Sequence, residues 1–188
     1  MEKSVLSPLQ TQKFTTLFQY FDTDRDGVLS AADFRAQAQR ITTSFGWSEN
    51  EKLAKQVTEN RSALFERLLS GADKDKNGSV TLAEFLRYFE RQILAYRAAQ
   101  VVSPWLMQSC KDVLELIDQD RSGAITADEY ARLLAAMGSD ADAHAAFAKI
   151  DTDGDGKLLL KDIVALSVEF MMSEDPEAAG NFFFCGKV

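Results

Sequence analysis

The chain has 188 residues, 46% of them hydrophobic, with 29 acidic side chains against 21 basic ones and a formal charge of −8. That length and apolar content allow one sizeable core or two small lobes, while the acidity disfavours nucleic acid and anionic membrane surfaces as partners. No run approaches the ~18 apolar residues of a membrane span, and the cysteines, Cys110 and Cys185, are too few for a disulfide framework.

The opening M-E-K-S-V-L-S-P has no apolar h-region, so no secretory signal is predicted and a soluble, cytoplasmic protein with reduced thiols is expected. Ser7-Pro8 starts a first helix, with Gln10 completing a capping box. Phe14, Leu17, Phe18 and Phe21 fall on one face of it. The segment Asp22–Asp33, D-T-D-R-D-G-V-L-S-A-A-D, comes next. A second helix starts at Ser30 and buries Phe34, Ala38, Ile41 and Phe45 before Gly46-Trp47 breaks it. Ser48-x-x-Glu51 reads as the cap of a third helix running to about Gly71, with Leu53, Val57, Leu64, Phe65 and Leu68 apolar. Asp73–Glu84, D-K-D-K-N-G-S-V-T-L-A-E, follows. Thr81-x-x-Glu84 caps a fourth helix whose stripe is Leu82, Phe85, Leu86, Phe89, Ile93 and Tyr96 and which reaches toward Gln100.

Ser103-Pro104 opens the second half as Ser7-Pro8 opens the first. Leu106, Cys110, Val113, Leu114 and Ile117 precede Asp118–Glu129, D-Q-D-R-S-G-A-I-T-A-D-E. Tyr130, Leu133, Leu134 and Met137 follow, and Gly138 ends that helix. Ser139 is the predicted cap of a short helix carrying Phe147 and Ile150. Asp151–Asp162, D-T-D-G-D-G-K-L-L-L-K-D, leads to Ile163, Leu166 and Phe170, and the tail Ser173–Val188 holds Pro176 and the run Phe182-Phe183-Phe184.

The four acidic segments share one grammar. Each has oxygen-bearing side chains first, third and fifth, glycine sixth, an aliphatic eighth and a carboxylate twelfth. A hard cation such as Ca²⁺ wants about six to eight oxygens, and a chain wrapped around one ion must turn sharply after the third ligand, which glycine permits. The seventh residue offers its backbone carbonyl, the ninth can hold a water, and the twelfth reaches back from a helix. This is the spacing of an EF-hand calcium loop. The predicted ligands are Asp22, Asp24, Asp26, Val28 and Asp33; Asp73, Asp75, Asn77, Ser79 and Glu84; Asp118, Asp120, Ser122, Ala124 and Glu129; and Asp151, Asp153, Asp155, Lys157 and Asp162. Solvated turns have no reason to repeat Leu29, Val80, Ile125 and Leu158 at the eighth position, and those residues predict a short antiparallel β-bridge between paired loops. The expected fold is all-α: four helix-loop-helix hands in two paired lobes, 1–100 and 101–188, packed into one compact unit.

The loops differ at their ends. Glu84 and Glu129 can each give two oxygens, which marks calcium sites. Asp33 and Asp162 are one methylene shorter, and a tighter shell favours six-coordinate Mg²⁺. Competition by Mg²⁺ is therefore expected at the first and fourth loops. Leu159, ninth in the fourth, has no side chain to hold a water. Four divalent ions would carry +8, opposite to the chain's formal charge of −8.

Loop starts at 22, 73, 118 and 151 give uneven steps of 51, 45 and 33. With that long first step, Phe21-Asp22 and Phe34 about the first loop and the ending E-D-P-E-A-A-G-N-F-F-F, the chain resembles the sarcoplasmic calcium-binding proteins and their bacterial relatives of the calerythrin type. The resemblance spans nearly the whole chain and implies a compact calcium buffer or signal modulator. Members of that family often have one disabled hand, whereas none is plainly disabled here. Composition agrees with the buffer: five Met against thirteen Phe make a rigid core rather than the flexible groove of a sensor. The three tail Phe need cover, and the crevice between the halves is the expected place. The alternative is a sensor that exposes an apolar groove to a protein target. A third reading is an apolar-ligand protein like the calcium-triggered photoproteins, which this chain resembles in general architecture only. His144 lies beside a helical stripe and reads as a surface residue, Trp47 and Trp105 read as anchors, and no catalytic grouping stands out, so a monomeric, non-enzymatic protein is expected.

Overall fold

The architecture, seen in a computed structural model, covers residues 5–185; the first four residues of the opening segment and the last three of the tail lie outside the described residues. Helices α1 (Pro8–Phe21) and α2 (Ala31–Ser44) flank strand β1 (Val28–Leu29), and α3 (Glu51–Ala72) and α4 (Leu82–Ala99) flank β2 (Val80–Thr81). In the second half, α5 (Pro104–Ile117) and α6 (Ala127–Ala136) flank β3 (Ala124–Thr126), α7 (Ala143–Ile150) and α8 (Leu160–Met172) flank β4 (Lys157–Leu159), and α9 (Gly180–Cys185) ends the described chain. Four helix-loop-helix hands are thus present in a mostly helical chain.

The pairing follows the eighth-position residues. β1 runs antiparallel to β2 with Leu29 opposite Val80, and β3 to β4 with Ile125 opposite Leu158. All four aliphatics are essentially inaccessible, so each bridge couples two loops through a buried cross-strand contact.

Two caps differ from the sequence reading. Asn50, not Ser48, caps α3, its Oδ1 accepting from Leu53 N at 3.2 Å. The chain is still turning at Ser48, because Asn50 N donates to Trp47 O. Asp142, not Ser139, caps α7 by accepting from His144 N and Ala145 N. Ser139 belongs instead to the turn that closes α6, with its N–H on Leu134 O. His144 is exposed, as expected.

The halves meet through aromatic rings. Phe14 of α1 stacks on Phe89 of α4 at 4.4 Å and meets Phe170 of α8 edge-on at 5.7 Å. Trp105 of α5 meets Tyr88 and Phe89 at 5.4 and 5.8 Å. Polar ties join α3 to α5: the ion pair of Arg67 with Asp112, and Gln56 Nε2 on Glu115 Oε1 at 2.8 Å.

The tail folds back onto its own half. α9 packs on α7 and α8 and touches α1. Phe183 is buried, with rings of Phe184 and Tyr130 beside it, and the Tyr130 hydroxyl donates to Phe182 O. Two buried polar side chains of α1 complete the attachment. Gln10 Nε2 donates to Met171 O at 2.9 Å, and Lys13 Nζ donates to Ser173 O and Asn181 Oδ1 at 2.8 and 3.0 Å. Burial pulls the Lys13 ammonium down to a pKa of about 8.

Gly180 starts α9 at the point of closest approach. A Cβ there would lie 2.4 Å from Leu166 O and 2.6 Å from Phe170 N, both backbone atoms of α8. Gly180→Ala should therefore push α9 off α8 and cost about 1–3 kcal/mol. A thermal melt should show a fall of several degrees; an unchanged midpoint would mean that α9 is not held at this distance.

Candidate metal centres

The first oxygen of each loop fixes the glycine turn. Asp22, Asp73, Asp118 and Asp151 each accept from the N–H of Gly27, Gly78, Gly123 and Gly156, at 3.1, 3.0, 2.9 and 2.9 Å. The fourth position of each loop is left-handed as well, with Arg25, Lys76 and Arg121 at φ 60°, 58° and 59° and Gly154 at 70°. A residue with a Cβ is disfavoured there by roughly 1–2 kcal/mol. The strain turns successive N–H groups inward onto the carboxylates and so holds the oxygens together. The sequence reading recognised the sixth-position turn and missed this one.

Three loops are then closed by the twelfth residue in the same way. Asp33 Oδ1, Glu84 Oε1 and Glu129 Oε1 accept from Thr23 N, Lys74 N and Gln119 N at 2.9, 3.1 and 2.8 Å, at the start of each loop. Their second oxygens accept from the N–H of Ser30, Thr81 and Thr126 and from the hydroxyls of those residues. The ninth-position hydroxyl, expected to hold a water, is thus turned onto the twelfth carboxylate.

Carboxylate oxygens consequently converge. Those of Asp22, Asp24 and Asp33, of Asp73, Asp75 and Glu84, and of Asp118, Asp120 and Glu129 lie within 4.8 Å of one another in each set. Asp26 stands outside the first set and accepts from Val28 N at 2.9 Å. Asn77 and Ser122 sit beside their sets: Asn77 Oδ1 accepts from Ser79 N, and the Ser122 hydroxyl donates to Ala124 O.

The fourth loop is built differently. Its convergent set is Asp151, Asp153 and Asp155, without Asp162. Asp162 Oδ2 accepts only from Leu159 N at 2.9 Å, and Thr152 N goes to Ile150 O instead of to the twelfth carboxylate. Leu159 has no hydroxyl to hold Asp162 in place. Lys161 Nζ lies 3.9 Å from Asp153 and 3.7 Å from Asp162, and Lys157 Nζ 4.0 Å from Asp155. Among the described residues, ion pairs to loop carboxylates occur only here, so two ammonium groups compete with any cation for this loop. The sequence marks the fourth loop as the weaker of the two Asp-ended loops through Leu159; the structure adds that Asp162 stands apart from its set and that two lysines lie beside it.

The donor sets suit a hard divalent cation. They are all oxygen, and three carboxylates held this close repel one another unless a positive charge lies among them. The Glu84 carboxyl sits below the usual carboxylate range, first through the Thr81 N–H and then through that of Lys74. The Asp120 carboxyl is lowered by the Ser122 hydroxyl and N–H. Both are ionised and ready as ligands well below neutral pH.

Known proteins with the same features are identifiable. A model of the EF-hand domain pair matches residues 11–90, and one of the EF hand matches 111–134 and 144–158. Calerythrin of Saccharopolyspora erythraea is 32% identical over 157 residues, 81% of this chain and 86% of that protein. A calcium-binding protein of Streptomyces coelicolor, 26% identical, superposes with a TM-score of 0.69 over 88% of this chain and 99% of that one. The sarcoplasmic calcium-binding protein of amphioxus, 20% identical, does so at 0.74 over 97% and 99%, a likeness of fold.

Two predictions follow from the loop ends. Glu84→Gln and Glu129→Gln should each remove one tight calcium event in calorimetry, weakening that site by about 100-fold, ~2.7 kcal/mol; unchanged stoichiometry in both variants would refute the assignment. Asp33→Glu and Asp162→Glu should both raise the preference for Ca²⁺ over Mg²⁺ in competition titrations. The larger rise, about tenfold or ~1.4 kcal/mol, is expected at Asp162, whose carboxylate does not reach the others as it stands. Equal ratios before and after would discard the argument from side-chain length.

Proposed function

The chain belongs to the EF-hand calcium-binding family, of the sarcoplasmic calcium-binding protein and calerythrin type, and from that premise we propose that it is a calcium buffer or signal modulator. It binds ions and catalyses no reaction. In this reading Ca²⁺ is held tightly in the second loop by Asp73, Asp75, Asn77, the Ser79 carbonyl and Glu84, and in the third by Asp118, Asp120, Ser122, the Ala124 carbonyl and Glu129. The first loop (Asp22, Asp24, Asp26, the Val28 carbonyl, Asp33) and the fourth (Asp151, Asp153, Asp155, the Lys157 carbonyl, Asp162) bind more weakly and with competition from Mg²⁺. Residues 1–100 and 101–188 act as the two paired units. The protein works as a cytoplasmic monomer, and among the described residues no helix is long and apolar enough to cross a membrane.

The observation that carries the buffer reading is the seat of α9. A sensor needs an apolar groove that opens to a partner helix. Here the chain's own tail covers apolar surface of the second half: Phe183 is 2% exposed, and Phe170 meets Phe184 at 4.9 Å. The Lys149 ammonium lies 3.9 Å from the Phe182 ring centroid and shields its outer face. Burying one such ring is worth about 1.5–3 kcal/mol, a large share of a typical stability of ~5–15 kcal/mol.

Calorimetry with calcium, in the presence and absence of millimolar Mg²⁺, gives stoichiometry and selectivity together. Deletion of residues 176–188 separates the two roles. A buffer closed by its own tail should lose thermal stability on truncation and start to bind a hydrophobic dye when calcium is present. A sensor would bind dye at full length as soon as calcium is added, and truncation would change little; that result would replace the buffer reading with the sensor one.

A further inference from the structure

Between the two halves lies an apolar cavity of about 100 Å³, walled by α3 and α5 and by rings of α4 and α9. Apart from Cys110 and Ser167, whose Sγ and Oγ pair at 3.4 Å, its polar lining is a cluster on the α3–α5 side: Arg61, Trp105, Ser109 and Asp112. Trp105, Ser109 and Asp112 follow one another on the same side of α5 at intervals of four and three residues, and Arg61 faces them from α3.

The cluster holds more donors than acceptors. Trp105 Nε1 and Ser109 Oγ are shut off from solvent and have no hydrogen-bond partner among the described residues, and the same is true of Arg67 Nε beside them. Indole N–H is a donor only. Arg61 is 7% exposed, and among the described residues its guanidinium donates to Asn60 Oδ1 alone, at 3.1 Å from Nε and 2.7 Å from Nη2. Among the described residues lining the cavity the one carboxylate, Asp112, is occupied by its ion pair with Arg67 and by Gln108 Nε2 at 2.8 Å. Two guanidiniums thus share one carboxylate, leaving a surplus of one positive charge beside a cavity of low polarity. Buried charges are normally paired, and buried donors normally have acceptors.

We propose that this cavity is a binding site for a small carboxylate with a compact apolar body, its anionic head on Arg61 with Trp105 Nε1 and Ser109 Oγ as further donors. The charge argues for a monoanion, since one negative charge balances the surplus and a dianion would reverse it. The planar fork of arginine matches a carboxylate. The volume sets the body. A cavity of ~150 Å³ takes up benzene, so this one accepts a somewhat smaller apolar body, about three to four carbons beyond the carboxylate. None of these residues belongs to a metal loop, so the site is separate from calcium binding.

The test uses the full-length, calcium-loaded protein. Pentanoate is compared with 1-pentanol and pentylamine, the same chain with an anionic, a neutral and a cationic head. Trp105 fluorescence in a Trp47→Phe background reports occupancy, and calorimetry gives stoichiometry. The expected result is saturable one-to-one binding of pentanoate, about tenfold tighter than the alcohol and tighter still than the amine. Arg61→Gln should bring the acid down to the level of the alcohol while calcium stoichiometry stays as it was, and Arg61→Lys should keep part of the preference. Should Arg61→Gln fail to fold, the ranking of the three head groups on the unchanged chain decides. Equal binding of acid and alcohol, a preference for the amine, or no saturable response to pentanoate would each overturn the proposal.

Discussion

In three of the four loops one carboxylate ties together the whole hand. The side chain of Asp33, Glu84 or Glu129 takes the N–H at the start of its loop with one oxygen and the N–H and hydroxyl of the ninth residue with the other. The same hydroxyl-bearing residue is the N-cap of the exiting helix, a position worth ~1 kcal/mol by itself. The carboxylate therefore sets the entry of the loop, the end of its strand and the start of its helix at once. A change of bond lengths at that point, as when an ion takes over one of the oxygens, must be felt by all three. In the fourth hand the tie is cut at the loop entry, because Asp162 does not reach Thr152 N, and at the ninth residue it is reduced to the Leu159 N–H, since Leu159 offers no hydroxyl.

Much of this was legible in the sequence, for a physical reason. The loops are short, their ligands are set by spacing within twelve residues, and the paired aliphatics Leu29 with Val80 and Ile125 with Leu158 announce their bridges. What stayed hidden depends on neighbours. Ser48 and Ser139 have the chemistry of caps, yet each falls inside a turn, and Asn50 and Asp142 hold the free N–H groups instead. Asp33 and Asp162 are the same residue at the same position; the sequence shows Leu159 in place of Ser30, but not that Asp162 stands outside its set or that the ammonium groups of Lys157 and Lys161 come beside the loop. The crowding of Arg61, Trp105 and Ser109 around one cavity has no local signature, because it arises only when α3 is laid against α5.

The aromatic content has a mechanical meaning. Phe14, Phe89 and Phe170 come from α1, α4 and α8, so one ring cluster belongs to both halves. Rigid rings at contact distances of 4.4 and 5.7 Å transmit displacement rather than absorb it, as flexible methionines would. The two pairs of hands are thus packed as one body, and α9 adds its own rings on the side of the second pair.

The hold of α1 on residues 171–181 bears on how the protein is made. Gln10 and Lys13 emerge from a ribosome well before their acceptors, Met171 O, Ser173 O and Asn181 Oδ1, which follow 161, 160 and 168 residues later. Until then the amide and the ammonium of α1 donate to water, and the face of α1 that carries them stays uncovered, however early the first two loops form. Synthesis from the N-terminal side would give a waiting intermediate with an open face on α1, closed only when residues 171–181 have followed.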